Sequence, residues 1–93
     1  MQLTEQYKNI QDLANANGVK FVESYRYPLH QKKVTLLFFG DSPSLMVASY
    51  QHSVTKECWT EYSLFVDAGW KQINEEVFMS VFHERVRKAK VNV

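Results

Sequence analysis

The side chains able to do chemistry in this chain are few and scattered. The histidines are His30, His52 and His83, the single cysteine is Cys58, and an acid pair stands at Glu75-Glu76. Metal sites built from histidine use short recurring spacings, such as two histidines four apart on one helix face. Positions 30, 52 and 83 supply none, so each histidine reads as a surface or half-buried side chain. One cysteine excludes a disulfide within the chain and a cysteine-rich zinc site. Cys58 falls inside an alternating apolar run and reads as a small core residue, with Lys56 as weak support for a reactive thiol. Asp41, Ser42 and His52 are the residue types of a hydrolase triad, but no nucleophile-elbow glycines surround Ser42. With glycine only at positions 18, 40 and 69, no phosphate-cradling loop can be written. Glu75-Glu76 are charges suited to a helix start. The sequence therefore predicts no catalytic residue, no metal and no cofactor, and a protein that is not an enzyme but works by binding.

Two groups of residues could do the binding. Phe39, Tyr50 and Trp59, with Arg26, are the aromatic and guanidinium types enriched at protein interfaces. The run His83 to Lys90 is basic, and Arg85, Arg87, Lys88 and Lys90, with Lys32-Lys33 in addition, are the groups a nucleic acid would need. The same cations also complement the negative end of a helix, which accounts for them without a ligand.

Composition limits the choice. The chain has 93 residues and a net charge of +1, with 45% hydrophobic and 23% charged residues. A domain of this size can bury one core without metal or disulfides. Neither the basic excess of a free-standing nucleic-acid binder nor the acidic excess of a nucleic-acid mimic is present. Met1 to Gln6 lacks the pattern of a signal peptide. The longest apolar run, Leu36 to Phe39, is far below the ~20 residues of a membrane span. The reading that follows is cytoplasmic, with no membrane partner.

The elements that must position these residues follow from periodicity. Leu3, Tyr7, Ile10 and Ala14 predict a first helix with Thr4 as N-cap and Glu5 after it, stopped at Asn17-Gly18. From Val19 the period becomes two, which predicts a strand ended by Pro28, then strands at Val34–Phe39, Leu45–Tyr50 and Glu57–Val66. His30 to Lys33, Gly40 to Pro43 and Gln51 to Lys56 read as connections, and Asp67-Ala68-Gly69 as a break. Asn74 as N-cap, with a staple between Ile73 and Phe78, predicts a last helix with a core stripe of Val77, Phe78, Val81, Phe82 and Val86; a start at Asp67 is the alternative. Helix, strands and helix in this order invite comparison with double-stranded-RNA-binding domains. Their second helix opens on phosphate-gripping lysines, where this chain has Asn74-Glu75-Glu76, which would repel phosphates, so the chain is not assigned to that family.

The predicted fold is an α+β domain spanning 1–93: a helix, a four-stranded antiparallel meander and a helix, in two layers. Alternation assigns Phe21, Tyr25, Val34, Leu36, Phe38, Leu45, Val47, Tyr62, Leu64 and Val66 to the helix-covered face. It leaves Leu37, Phe39, Met46, Tyr50, Trp59 and Phe65, mixed with Arg26, Lys33, Thr35, Glu61 and Ser63, on the other. Apolar residues on an uncovered face mark an interface. The expected function is a protein-interaction module, a small accessory or inhibitor protein of phage or mobile-element type, acting through that face on a protein partner or on itself as a homodimer. The alternative is a nucleic-acid-binding protein using the basic C-terminal helix.

Overall fold

The structure, a computed structural model, describes residues 10–26 and 29–91. Thr4, Glu5, Leu3, Tyr7 and Pro28 lie outside the described residues, as does the side chain of Lys90. The elements are α1 (Ile10–Ala16), β1 (Lys20–Arg26), β2 (His30–Phe38), β3 (Pro43–His52), β4 (Cys58–Val66), β5 (Gly69–Ile73) and α2 (Glu75–Val91). The fold is α+β, and the sheet is a five-stranded antiparallel meander in the order β1-β2-β3-β4-β5.

Local chemistry sets the helix ends. Gly18 has φ +68°, a conformation glycine adopts without a Cβ penalty. The Val19 N–H donates to the Ala14 carbonyl at 2.8 Å and the Gly18 N–H to the Asn15 carbonyl at 3.3 Å, the two bonds of a Schellman C-cap. Val19 is buried beside Leu13 and Ala14, supplying the apolar contact that closes this motif. At α2, Asn74 Oδ1 accepts the Val77 N–H at 2.7 Å, so Asn74 is the N-cap. Ile73 and Phe78, either side of the cap, join the same core cluster.

The fifth strand corrects the four-strand expectation. Asp67 and Ala68 both have positive φ, 53° and 63°, and Val66 pairs with Gly69. That is a two-residue hairpin loop of type I′ twist. The usual Asn-Gly signal is absent, because an alanine fills the second position and the glycine follows it.

One cluster forms the core. Ile10, Leu13 and Ala14 of α1 and Phe78, Phe82 and Val86 of α2 meet Leu37, Leu45, Val47 and Tyr62 of the sheet. The strand residues all share one face, since the registers pair Phe21 with Leu37, Leu37 with Leu45, Leu45 with Leu64 and Val47 with Tyr62. Both described helices therefore lie on the same side. The shortest extent of the molecule, 20 Å, fits one sheet and one helix layer about 10 Å apart.

The phase of β2 is opposite to the sequence expectation. Thr35 and Leu37 are buried on the helix side, while Val34, Leu36 and Phe38 face away from the helices. The run Val34–Phe39 is apolar in both phases, and its one polar residue, Thr35, points inward. Tyr25, Cys58 and Val66 take the expected side but are exposed, because both ends of the sheet extend past the helices. Val77, expected in the core stripe, is exposed as well.

Candidate functional site

The uncovered sheet face is built by rows of residues running across the strands. Val22, Leu36, Met46, Ser63 and Gln72 form one row, and Ser24, Val34, Ala48 and Glu61 the next. Arg26, Lys32, Tyr50 and Trp59 follow, then His30 paired with His52. At the other end Phe65 and Trp70 pair, with ring centroids 5.3 Å apart and edge to face. Val22, Trp59, Phe65 and Trp70 are all more than a third exposed. In a single copy these side chains cover apolar surface that the described residues leave uncapped.

Several ring contacts meet at the aromatic corner. Tyr50 and Trp59 are cross-strand partners, and their rings are stacked. The Tyr50 hydroxyl donates to Glu61 Oε2 at 3.2 Å. The Lys32 ammonium lies over the Tyr50 ring, 5.3 Å from its centroid, within the range of a cation–π contact. His30 meets Trp59 and His52 edge-on, with centroids 5.5 Å and 5.1 Å away.

His52 is committed to the loop that follows it. Its Nδ1 accepts the Val54 N–H at 3.3 Å and the Thr55 N–H at 3.2 Å. Its carbonyl accepts the Lys56 N–H at 3.0 Å, and its own N–H donates to the Glu57 carbonyl at 2.9 Å. Lys56 takes φ 63° to close the turn. With Nδ1 an acceptor, the neutral ring carries its proton on Nε2. It then has no lone pair to offer a metal while the loop stays closed. Among the described residues no group of three or more His, Cys, Asp or Glu is placed to hold a metal ion.

The other candidate chemistry is dispersed. Asp41 and Ser42 precede β3, whose ten residues Pro43–His52 separate them from His52 by about 30 Å at ~3.3 Å per residue. Cys58, expected in the core, is exposed, and its thiol contacts the Lys56 carbonyl at 3.6 Å. Glu75 accepts a hydrogen bond from the buried Tyr62 hydroxyl. Burial, with the adjacent Glu75 carboxylate, pushes the Tyr62 phenol up to about 12.

Comparison with known proteins gives no match: no family model fits the chain, and no curated protein or solved structure is significantly similar to it.

Of the residues the sequence singled out, Arg26, Tyr50 and Trp59 fall in one row on the uncovered face. Phe39 does not join them. It packs edge-on against Phe82 of α2, with centroids 5.6 Å apart, because the phase of β2 turns it to the helix side. Sequence reasoning missed His30, Lys32, Leu36 and Trp70, which also belong to this face. The alternation His30, Lys32, Val34, Leu36 carried that signal, hidden because His30 to Lys33 reads as a polar connection.

The basic groups lie elsewhere. Arg85 is half-buried and Arg87 and Lys88 are exposed on α2, in the layer on the opposite side of the sheet from the aromatic corner. Lys88 pairs with Glu84 at 3.1 Å, and this pairing holds the Glu84 carboxyl below its ordinary range. No described helix is long and apolar enough to cross a membrane.

Proposed function

We propose that this protein is a non-enzymatic interaction module that docks another protein surface on its uncovered sheet face. One observation carries the reading: both described helices pack into a single core on one side, and the described residues leave Val22, Leu36, Met46, Trp59, Phe65 and Trp70 uncovered on the other. A face that must stay in water alternates polar residues at these positions. Here polar groups flank an apolar centre of Val34, Leu36, Met46 and Ala48, with Ser24, Arg26 and Lys32 towards β1 and Glu61, Ser63 and Gln72 towards β5, as in an interface with a greasy centre and a polar rim. Tyr50 and Trp59 brace one another and so lose little freedom on binding, which suits them as anchors.

The reading is tested by contrasting two truncations. Trp59→Ala keeps the native circular dichroism and lowers stability by about 1 kcal/mol, the scale of an aromatic pair. Phe82→Ala, on the helix side, costs about 3–5 kcal/mol. In protein dilute enough to be unassociated, a Trp59→Ala loss as large as that of Phe82→Ala would make Trp59 part of the fold and end this reading.

Nucleic acid is the weaker alternative. The cations of α2 occupy the opposite layer from the aromatic rings, and Lys88 is already paired with Glu84. Gel mobility unchanged by DNA and RNA at low salt would remove it; a retardation that fades steeply with salt would support it.

A further inference from the structure

We infer that the occupant of the uncovered face is a second copy of this chain, packed about a two-fold axis that runs parallel to β3. The inference rests on the interface reading above and names its partner. It comes from how charge and aromatic rings are divided across the sheet.

The β1–β2 half of the face carries its cations, Lys20, Arg26 and Lys32, while the β4–β5 half carries Glu61 and the two tryptophans, Trp59 and Trp70. Rotation about an axis parallel to β3 keeps every residue at its level along the strands and exchanges the halves. Lys32 of each copy then faces Trp59 of the other, with Glu61 one row away, and Lys20 faces Trp70. Ammonium groups are attracted to aromatic faces and to a nearby carboxylate. Lys32 already sits over the Tyr50 ring. An axis across the strands would instead bring Lys20 against Arg26 of the other copy, a like-charge contact. Of the two, the strand-parallel axis makes the face complementary to itself.

Shape and size agree. On the axis lie Met46, Ala48 and Tyr50 of β3, and the small Ala48 side chain, buried among its own neighbours, leaves the middle of the axis without a projecting side chain. Two sheets so packed are aligned layers about 10 Å apart. Five strands ~4.8 Å apart and about seven residues long have a footprint of ~550 Å² per copy. That is about 1,100 Å² in total before side-chain relief is counted, above the ~1,000 Å² a specific interface needs.

Light scattering across a range of concentration is the test. The native chain is expected at twice its monomer mass. Ala48→Glu, which brings two carboxylates together on the axis, and Lys32→Glu, which reverses the charge facing Trp59, are each expected at monomer mass with native circular dichroism. Arg87→Glu, on α2, stays a dimer. Should Ala48→Glu fail to fold, Lys32→Glu, which replaces one charge by another on the sheet surface, decides alone. A dimer that persists in Lys32→Glu overturns the proposal by placing the contact elsewhere, for example on the β5 edge. A monomeric native chain also overturns it. Acrylamide quenching in a Trp70→Phe background then separates the two levels. An accessible Trp59 leaves the interface reading standing with a different partner. A shielded Trp59 in a monomer removes that reading too.

Discussion

Tyr50 and Trp59 stand side by side on β3 and β4 with their rings 9° from parallel and their centroids 5.0 Å apart. The pair lies on the face that neither helix covers, so it is held by sheet registry and by the Tyr50–Glu61 hydrogen bond. A double-mutant cycle with Tyr50→Ala and Trp59→Ala, read by denaturant unfolding of dilute protein, should show a coupling of about 1 kcal/mol. Additive losses would mean that the rings contribute nothing to one another.

The Tyr62 hydroxyl ties the middle of β4 to the start of α2 through Glu75. Its folded value, about 12, lies above the ordinary tyrosine value of about 10. The unfolded chain therefore releases this proton first as pH rises. The stabilisation is fully present below about pH 10 and is lost between about pH 10 and pH 12. The melting temperature should fall over that window, and Tyr62→Phe should flatten the fall. Parallel alkaline profiles for the two proteins would contradict the link.

Ala68 sits at φ 63° in the β4–β5 turn, a conformation that costs a residue with a Cβ roughly 1–2 kcal/mol. Ala68→Gly relieves this and gives back part of the gain through a freer unfolded chain. A net increase of about 0.5–1 kcal/mol, some 4–8 °C per kcal/mol for a domain of this size, is expected in thermal melts. Ala68→Val should lower stability. A loss on Ala68→Gly would show that the turn is not strained.

Asn74 caps α2 through the bond from the Val77 N–H to its side chain. Asn74→Ala should cost about 1 kcal/mol, and Asn74→Ser should recover most of it, since serine offers the same acceptor. Equal losses for the two would assign the effect to packing rather than to the cap.

His52 holds the loop between β3 and β4 with its Nδ1 lone pair. Long-range proton–nitrogen correlation should show this ring as the Nε2–H tautomer. In His52→Phe the Val54 and Thr55 amides should exchange with solvent faster than in the native protein. An Nδ1–H tautomer would leave those two amides without their acceptor and rule out this role.

Sequence alone determined the parts of this protein that depend on neighbours a few residues apart. The Gly18 cap joins residues at most five positions apart, the Asn74 cap spans three, and alternation within each strand sets Tyr50 on the face opposite Leu45 and Val47 of β3 and Trp59 on the face opposite Tyr62 and Leu64 of β4. Tertiary structure decided what depends on distant partners. The run Val34–Phe39 is apolar in both phases, so only pairing with β1 and β3 could choose which half turned inward, and it sent Phe39 to Phe82 and Leu36 to the uncovered side. β5 exists because Trp70 and Ile73 find partners across a turn whose residues do not announce it. That both helices share one side of the sheet, the fact on which the functional reading stands, follows from how the whole chain buries its largest apolar area, and no short window of sequence contains it.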